Sequence, residues 1–296
     1  MKKIFIISSL IISFTTFSQS ISVKESNEKF STGPQNAATT TILENNLNDV
    51  LSEWKKVLRD FKNEKVKDDN NEVFADNIII KEWGNNPVDI YTKFEENKSS
   101  KTVKMMVAVD LGGAYLTSGT DKSKYNFIEK LVKDFAVKQT KAPLEEAVKD
   151  SEKLLAKHED KQKDLEKDNK NLNNDIIDYK SKIGRAETDV IAKDGELTKK
   201  KAEIAIQKKV VEASSGAVNE QAKSSKKIYD KLTDQEKDLE KDKKDLKSDI
   251  EKYKDKIKDA EKDIKKNEEE QTKKKAEIEA QKKVVETVTG KLKAVN

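Results

Sequence analysis

Histidine is the side chain used most often for acid–base catalysis near neutral pH and for binding transition metals, and this chain contains one, His158. It stands among Lys and Glu at a seam position of a predicted helix. The sequence has no cysteine, and no acidic trio at helical spacing accompanies the histidine, so it predicts no zinc site. No nucleophile can be paired with it either. We predict that the protein is not an enzyme.

Two short segments resemble binding loops without completing them. Asp68-Asp69-Asn70-Asn71-Glu72 has oxygen ligands suited to calcium, but it lacks the ordered spacing and the glycine of a calcium loop. We interpret it as a solvated loop. Asp110-Leu111-Gly112-Gly113 has two glycines after a predicted strand, without the longer pattern that binds phosphate. We interpret it as a β-bulge. The sequence therefore predicts no metal site and no cofactor.

Other candidate residues have a structural interpretation beside a functional one. Lys199–Lys201 and its counterpart Lys273–Lys275 are basic runs that we expect to form a solvated face, with a patch for anionic glycans or lipids as the alternative. Trp54 lies on the apolar face of a predicted helix and is expected in the core. Trp83 lies beside a turn and would mark a ligand surface if it is exposed.

The charge balance argues against nucleic acid as a partner. The chain has 60 Lys and Arg against 56 Asp and Glu, and 39% of its residues are charged. Only Arg59 and Arg185 are arginines, and acids alternate with bases instead of leaving a basic stripe. The excess of charge lies in the second half, which also explains the mean hydropathy of −0.88.

The first residues predict an export signal. Met1-Lys2-Lys3 precedes an uncharged apolar stretch from Ile4 to Phe17, and Ser18-Gln19-Ser20 is a plausible cleavage site. The stretch is shorter than the roughly 20 apolar residues that span a bilayer. A buried helix or strand is the alternative. We expect an exported, periplasmic or extracellular protein with no integral membrane segment after signal removal.

A small α+β head is predicted in residues 36–142. Its element order is β-α-β-β-β-α, an antiparallel meander covered on one face by two helices. Pro143 is expected to separate the head from the second half of the chain, because proline is best tolerated in a first helical turn. A kinked continuous helix is the alternative. The predicted strands are Ala37–Leu43, Val73–Trp83, Val88–Glu95 and Val103–Leu111, and the predicted helices are Leu47–Phe61 and Asp121–Phe135.

The second half is an internal repeat with an offset of 74 residues. From Lys163 to Gly216, 32 of 54 positions are identical to the residue 74 positions further on. An apolar seam with alternating gaps of three and four runs through both copies, which predicts a coiled coil. An antiparallel hairpin is favoured, with Ala186 near Ile257 and Ile183 near Ala260, and one long helix with a stutter is the alternative.

The predicted boundaries combine these features. They are a signal peptide at 1–20, a flexible leader at 21–35, the head at 36–142, a first coiled-coil arm at 143–213, a turn or stutter at 214–224 and a second arm at 225–296.

The chain resembles a group of uncharacterised secreted bacterial proteins that combine an export signal, a small head and a Lys/Glu-rich coiled coil. The resemblance covers the whole mature chain and implies no activity. Members usually have one coil unit, so the doubling here departs from the pattern. The segments that carry the resemblance are Ser31–Ala37, Asn86–Asp89, Val109–Leu116 and the Gln-Lys-Lys-Val-Val-Glu runs at Gln207–Glu212 and Gln281–Glu286.

Two functions are consistent with these features. The first is a non-enzymatic exported structural or interaction protein, with its head presented on a coiled-coil stalk or clamp that binds a protein partner or self-associates. The alternative is a head that binds a ligand or peptide, with the coil serving only for oligomerisation.

Overall fold

A computed structural model describes residues 20–61, 66–214 and 220–296. The predicted signal peptide lies almost wholly outside the described residues. Within them the elements are β1 (Lys24–Phe30), β2 (Gly33–Leu43), α1 (Leu47–Asp60), β3 (Val66–Asp69), β4 (Glu72–Ile78), a short 3-10 helix (Lys81–Trp83), β5 (Val88–Asn97), β6 (Thr102–Asp110), α2 (Lys122–Ala213) and α3 (Glu220–Ala294).

The strands form one antiparallel sheet in the order β1-β2-β6-β5-β4-β3. Strands β3 to β6 are a meander, and the hairpin of β1 and β2 extends the sheet beyond β6. The prediction of a mixed α+β head with antiparallel strands is confirmed. The described part of the sheet has six strands, where the sequence predicted four.

The two missed strands have identifiable causes. Residues 21–35, predicted as a flexible leader, contain β1 and the start of β2. Most side chains of β1 are exposed because it is an edge strand, so its composition is that of a polar linker. The segment from Asp68 to Glu72, predicted as a loop, is the β3–β4 hairpin. Asn70 and Asn71 turn the chain with φ of 51° and 63°, the left-handed pair that two-residue hairpin turns require.

One face of the sheet carries the main hydrophobic core. Alternating residues of β2, β4, β5 and β6 pack there against α1, the first turns of α2 and the last turns of α3. Trp54 is at the centre, fully buried, with its indole N–H donating to Thr92 Oγ1 at 2.8 Å. Its ring meets Phe135 edge to face, with centroids 4.9 Å apart. The prediction that Trp54 lies in the core is confirmed.

The predicted joint at Ala142–Pro143 is wrong, because α2 runs through Pro143 as one helix. Proline has no N–H to donate, so the carbonyl of Gln139, four residues earlier, loses its helical partner. Asn45, which lies just before α1, supplies a replacement: its Nδ2 donates to Gln139 O at 2.6 Å. Next to it, Thr140 Oγ1 accepts from the backbone N–H of Leu43 at 3.1 Å. The head therefore supports the helix at the position where proline weakens it.

The described contacts divide the chain into two compact units. Residues 1–155 and 280–296 form the first, and residues 156–279 form the second. The first unit is larger than the predicted head because the end of α3 belongs to it. Val295 is 1% exposed in the main core. The N–H of Ile21 donates to the carbonyl of Asn296 at 3.1 Å, and Lys291 pairs with Glu44 at 2.6 Å.

In the second unit, α2 and α3 pack together. Gln162 Nε2 donates to Gln271 Oε1 at 3.2 Å, the rings of Tyr179 and Tyr253 stack with centroids 6.0 Å apart, and Gln207 Nε2 donates to the carbonyl of Ser225 at 3.0 Å. Residues further along α2 thus meet residues earlier in α3. Buried seam residues include Leu165, Ile176, Ala186 and Leu197 of α2 with Ile250, Ala260 and Ile278 of α3.

The predicted register between α2 and α3 is wrong, because the observed helices are shifted along each other relative to it. The residue numbers of those three pairs add to 432 or 433, whereas Ala186 and Ile257 add to 443. The sums differ by 10 or 11, so the observed register lies about one and a half heptads, or roughly 16 Å, from the predicted one. Seam positions recur every three or four residues, so registers related by such steps bury a similar set of side chains. Helix α3 begins at Glu220, earlier than the expected 225, and residues 215–219 lie outside the described residues.

A double-mutant cycle tests the proline support. We expect Asn45→Ala to lower the free energy of unfolding by about 1–3 kcal/mol, because the buried Gln139 carbonyl loses its donor. In a Pro143→Ala background the N–H of residue 143 can donate to the Gln139 carbonyl, so Asn45→Ala lowers the free energy of unfolding by less. Urea unfolding followed by tryptophan fluorescence measures the cost of Asn45→Ala in each background. Asn45 also bonds Asn46 N–H, a loss common to both backgrounds. Equal costs in the two backgrounds would contradict the prediction.

Cysteine pairs test the register. The chain has no cysteine, so any disulfide within one chain must join the two introduced residues. We expect Tyr179→Cys with Tyr253→Cys to form an intramolecular disulfide rapidly under oxidation, since these side chains face each other. The matched control is Ala186→Cys with Ile257→Cys, which lie about one and a half heptads, or roughly 16 Å, out of register. Non-reducing electrophoresis of dilute protein distinguishes them. Faster bridging of the control pair would refute the observed register.

Candidate functional site

The face of the sheet opposite the helices carries a group of aromatic side chains. Phe74 on β4 and Tyr91 on β5 are directly paired, and their rings lie 4.7 Å apart at 32°. Tyr115, in the loop after β6, lies 6.2 Å from Tyr91. All three are half-buried. We call Phe74, Tyr91 and Tyr115 the aromatic face.

The end of the β1–β2 hairpin folds across the same side of the sheet. Phe30 is 4% exposed and packs with Ala37, Met106 and Ala108, beside the aromatic face. Polar contacts hold β1 and the tip of the hairpin to strands that do not pair with β1. Ser31 donates from its N–H and its Oγ to Glu72 at 2.9 and 2.6 Å, Glu28 pairs with Lys104 at 3.0 Å, and Lys93 Nζ donates to Lys29 O at 3.1 Å. The sheet is therefore curled.

A glycine turn positions Tyr115. Asp110 Oδ1 accepts from the N–H groups of Gly112 and Gly113 at 3.0 and 2.7 Å, and both glycines have left-handed φ, 97° and 109°. Tyr115 then forms a bridge back to Asp110, and its hydroxyl lies 3.0 Å from Thr32 Oγ1. The predicted bulge at Gly112-Gly113 is thus a turn beyond the end of β6.

A cavity of about 590 Å³ opens at the edge of this face. Phe74 contributes an aromatic ring, and the other lining residues are polar or charged. This lining combines an apolar surface with carboxylate, amide and hydroxyl groups that can orient a ligand. The lining residues are Ser31, Lys67, Asp68, Asp69, Asn70, Glu72 and Phe74.

Two of the three carboxylates at the cavity already have partners. Asp68 pairs with Lys55, and Glu72 accepts from Ser31. Within residues 20–61, 66–214 and 220–296, no group of three or more His, Asp or Glu side chains is placed to hold a metal ion.

Several acidic groups act on Tyr91 at the aromatic face. Burial raises the pKa of the Tyr91 hydroxyl above its ordinary value of 10.0, and the charges of Tyr115, Asp89, Asp110 and Glu72 raise it further. Asp89 and Asp110 are cross-strand neighbours. Tyr91 therefore remains a neutral phenol at physiological pH. Its ring, surrounded by acids, favours a cationic group over an anion.

The remaining candidate residues, His158 and the two basic runs, contact neighbouring side chains of the long helices. His158 lies between α2 and α3, with Nδ1 3.2 Å from Lys274 Nζ and from Glu277 Oε2. Lys200 pairs with Glu203 at 2.7 Å, and Lys274 of the second basic run pairs with Glu277. These charges are partly compensated by neighbours on the same helix.

Trp83 does not form an open ligand surface. It is half-buried, and its ring meets Phe127 edge to face with centroids 5.6 Å apart. Lys124 Nζ lies 5.8 Å from the ring centre. These contacts fix the 3-10 helix to the first turns of α2. The expectation that Trp83 would mark a binding site if it is exposed is therefore not met.

Comparison with known proteins gives no relative for this chain: no family model, no curated protein and no solved structure matches it. The resemblance to secreted coiled-coil proteins stays a prediction. Among the described helices, none combines the length and the apolar character needed to cross a bilayer.

Alkaline titration tests the environment of Tyr91. Its pKa is raised in the folded state, so its contribution to stability is complete below pH 10 and is lost as the pH rises through the folded pKa. We expect Tyr91→Phe to reduce the alkaline loss of stability and to remove one late step from the ultraviolet titration of the tyrosines. A Tyr91→Phe titration that keeps every late step contradicts the assignment.

Proposed function

We propose that this chain is a non-enzymatic exported structural protein that binds a partner through its head and presents that head on a coiled-coil stalk or clamp. The observation that carries the proposal is that both long helices are built into the head. The start of α2 contributes Ile128, Val132 and Phe135 to the main core. The end of α3 contributes Val288 and Leu292, and Val295 follows directly after the helix. The first turns of α2 and the last turns of α3 are therefore part of the head's fold.

We further propose that α2 and α3 form an antiparallel coiled-coil hairpin. Paired side chains in opposite chain order support this, as do buried seam residues on both helices. Salt bridges flank the seam: Lys193 with Asp242 at 3.3 Å and Lys201 with Glu240 at 3.3 Å. Exposed pairs of this kind add little stability individually, so their role is to favour this pairing over others.

The aromatic face supports the binding role of the head. Aromatic side chains that remain half-exposed beside a polar cavity are typical of contact surfaces, because they bury much area at small entropic cost. Acids around Tyr91 favour a partner segment with a basic side chain. We also propose that the protein is exported, because residues 1–20 have the sequence pattern of a signal peptide.

The second candidate function is that the head binds a small ligand and the helices only oligomerise it. The cavity of about 590 Å³ at Phe74 favours this candidate, since its volume suits a small molecule. It differs from the first in what occupies the aromatic face. A protein partner would cover the face, whereas a small ligand would occupy only the cavity.

Site-specific photo-crosslinking in intact cells separates the two. A photoreactive residue at Tyr91 should give a defined protein adduct if the head binds a partner. The control position is Lys98, at the β5–β6 turn, whose side chain is 87% exposed and away from the aromatic face. It should not give that adduct. Phe74→Ala should abolish the adduct without changing the tryptophan emission spectrum, which reports on the core of the head.

Two results would overturn the proposal. An identical adduct at Tyr91 and Lys98 would mean that the aromatic face is not the contact surface. Absence of any protein adduct, together with a small molecule that co-purifies with the parent chain and is lost in Phe74→Ala, would establish the second function.

A further inference from the structure

The outer face of α2 carries a stripe of uncharged residues. From Ile177 to Ala202 they follow one another at gaps of four and three, which is the spacing of a second helical seam, and Ile206 lies one turn further. All are exposed, although the equivalent face of α3 is charged. The stripe consists of Ile177, Ser181, Gly184, Thr188, Ile191, Gly195, Thr198 and Ala202.

The second copy of the repeat shows that the coil does not need this stripe. The residues 74 positions after the eight members are Glu251, Asp255, Lys258, Lys262, Lys265, Glu269, Thr272 and Ala276. Six of these eight are charged, whereas none of the stripe is. Most seam residues recur in both copies, although Lys193 and Leu197 correspond to Asn267 and Gln271. Six of the eight stripe positions differ between the copies, against 22 of all 54 positions from Lys163 to Gly216, so the copies differ more densely along the stripe than over the whole span.

Folding of the chain itself does not explain the stripe. Ile177 and Ile191 are 66% and 72% exposed. Gly184 and Gly195 lie inside a helix, where glycine is unfavourable, and a Cβ at either would meet nothing within 4 Å. The hydroxyls of Thr188 and Thr198 donate to the carbonyls four residues earlier, at 2.9 and 2.8 Å. Their polar groups are thus satisfied, leaving methyl groups for the surface.

We propose that the stripe is a contact surface for the same stripe on a second copy of this chain. The gaps of four and three fit a helix, and the helical partner must offer an uncharged face of equal length. Among the described residues, three of the most exposed large apolar side chains are Ile177, Ile191 and Ile206. The corresponding face of α3 is charged. The surface that matches the stripe is therefore the stripe itself, which is the isologous arrangement common in dimers.

The contact area of the stripe indicates the affinity to expect for the dimer. With a rise of about 1.5 Å per residue and a width of about 10 Å, the stripe offers about 400 Å² per chain, or roughly 800 Å² when two copies meet. Stable interfaces bury roughly 1,200–2,000 Å². We therefore expect a weak, reversible dimer with a dissociation constant on the order of tens of micromolar. Small residues let the two helices approach closely, which increases the contact that each isoleucine makes.

Sedimentation velocity of the full chain between about 1 and 300 μM tests this, because that range brackets the expected affinity. The parent chain should shift from monomer to dimer. Thr198→Lys should weaken the dimer at least about tenfold by placing a charge in the stripe. The matched control is Thr272→Lys, the same residue type at the same repeat position on α3, with the same hydroxyl bond at 2.9 Å. It should dimerise like the parent.

A second variant guards against a failure to fold. Gly195→Glu introduces the residue found at position 269 and raises helix propensity, so any loss of the dimer cannot come from a weaker helix. A parent chain that stays monomeric over the whole range would overturn the proposal, as would equal weakening by Thr198→Lys and Thr272→Lys. The inference does not depend on the proposed partner of the head, so crosslinking at Tyr91 and dimerisation can fail independently.

Discussion

A helix that passes through proline leaves one backbone carbonyl without a donor, and the architecture of this chain depends on how that carbonyl is satisfied. At Pro143 the free carbonyl is that of Gln139, and Asn45 Nδ2 bonds it. This single contact allows α2 to serve two purposes. Its first turns fill the core beneath the sheet, and the same helix continues to its pairing with α3. Without such a donor, the buried carbonyl would favour a break at this position.

Polar residues inside the helix pair add specificity at some cost in stability. Gln162 donates to Gln271, which donates to Asn267, and these amides lie in the otherwise apolar seam. Gln162 Oε1 is buried without a hydrogen-bond partner. A different register would leave more of these amides unpaired. A seam of leucine alone would be more stable but would pair almost equally well one heptad away.

The sequence predicted the elements best where side chains alternate strongly. The patterns of Val103–Leu111 and Leu47–Phe61 are clear because apolar residues recur at strand and helix spacing, and both elements are present within about a residue. Strand β1 was missed because an edge strand with exposed Lys, Glu and Asn has the composition of a linker. The β3–β4 hairpin was missed because Asn-Asn also suits a loop, although two residues tolerant of positive φ make the tightest hairpin turn.

Long-range features could not be predicted from local pattern. The aromatic face combines residues of β4, β5 and a later loop, and nothing in the spacing of Phe74, Tyr91 and Tyr115 relates them. The only local signal was that Phe74 and Tyr91 lie on the polar side of their strands. Similarly, no local pattern shows that Val295 packs in a core formed about 200 residues earlier in the chain. Periodicity defines a helix, but it does not say where the end of that helix docks.

The positions of the two tryptophans have a consequence for spectroscopy. Trp54 and Trp83 both contact the main core of the first unit, and residues 156–279 contain no tryptophan. Indole emission therefore reports on that core alone, whereas far-ultraviolet ellipticity is dominated by α2 and α3. In one sample the two signals separate loss of the core from loss of the long helices, without any added label.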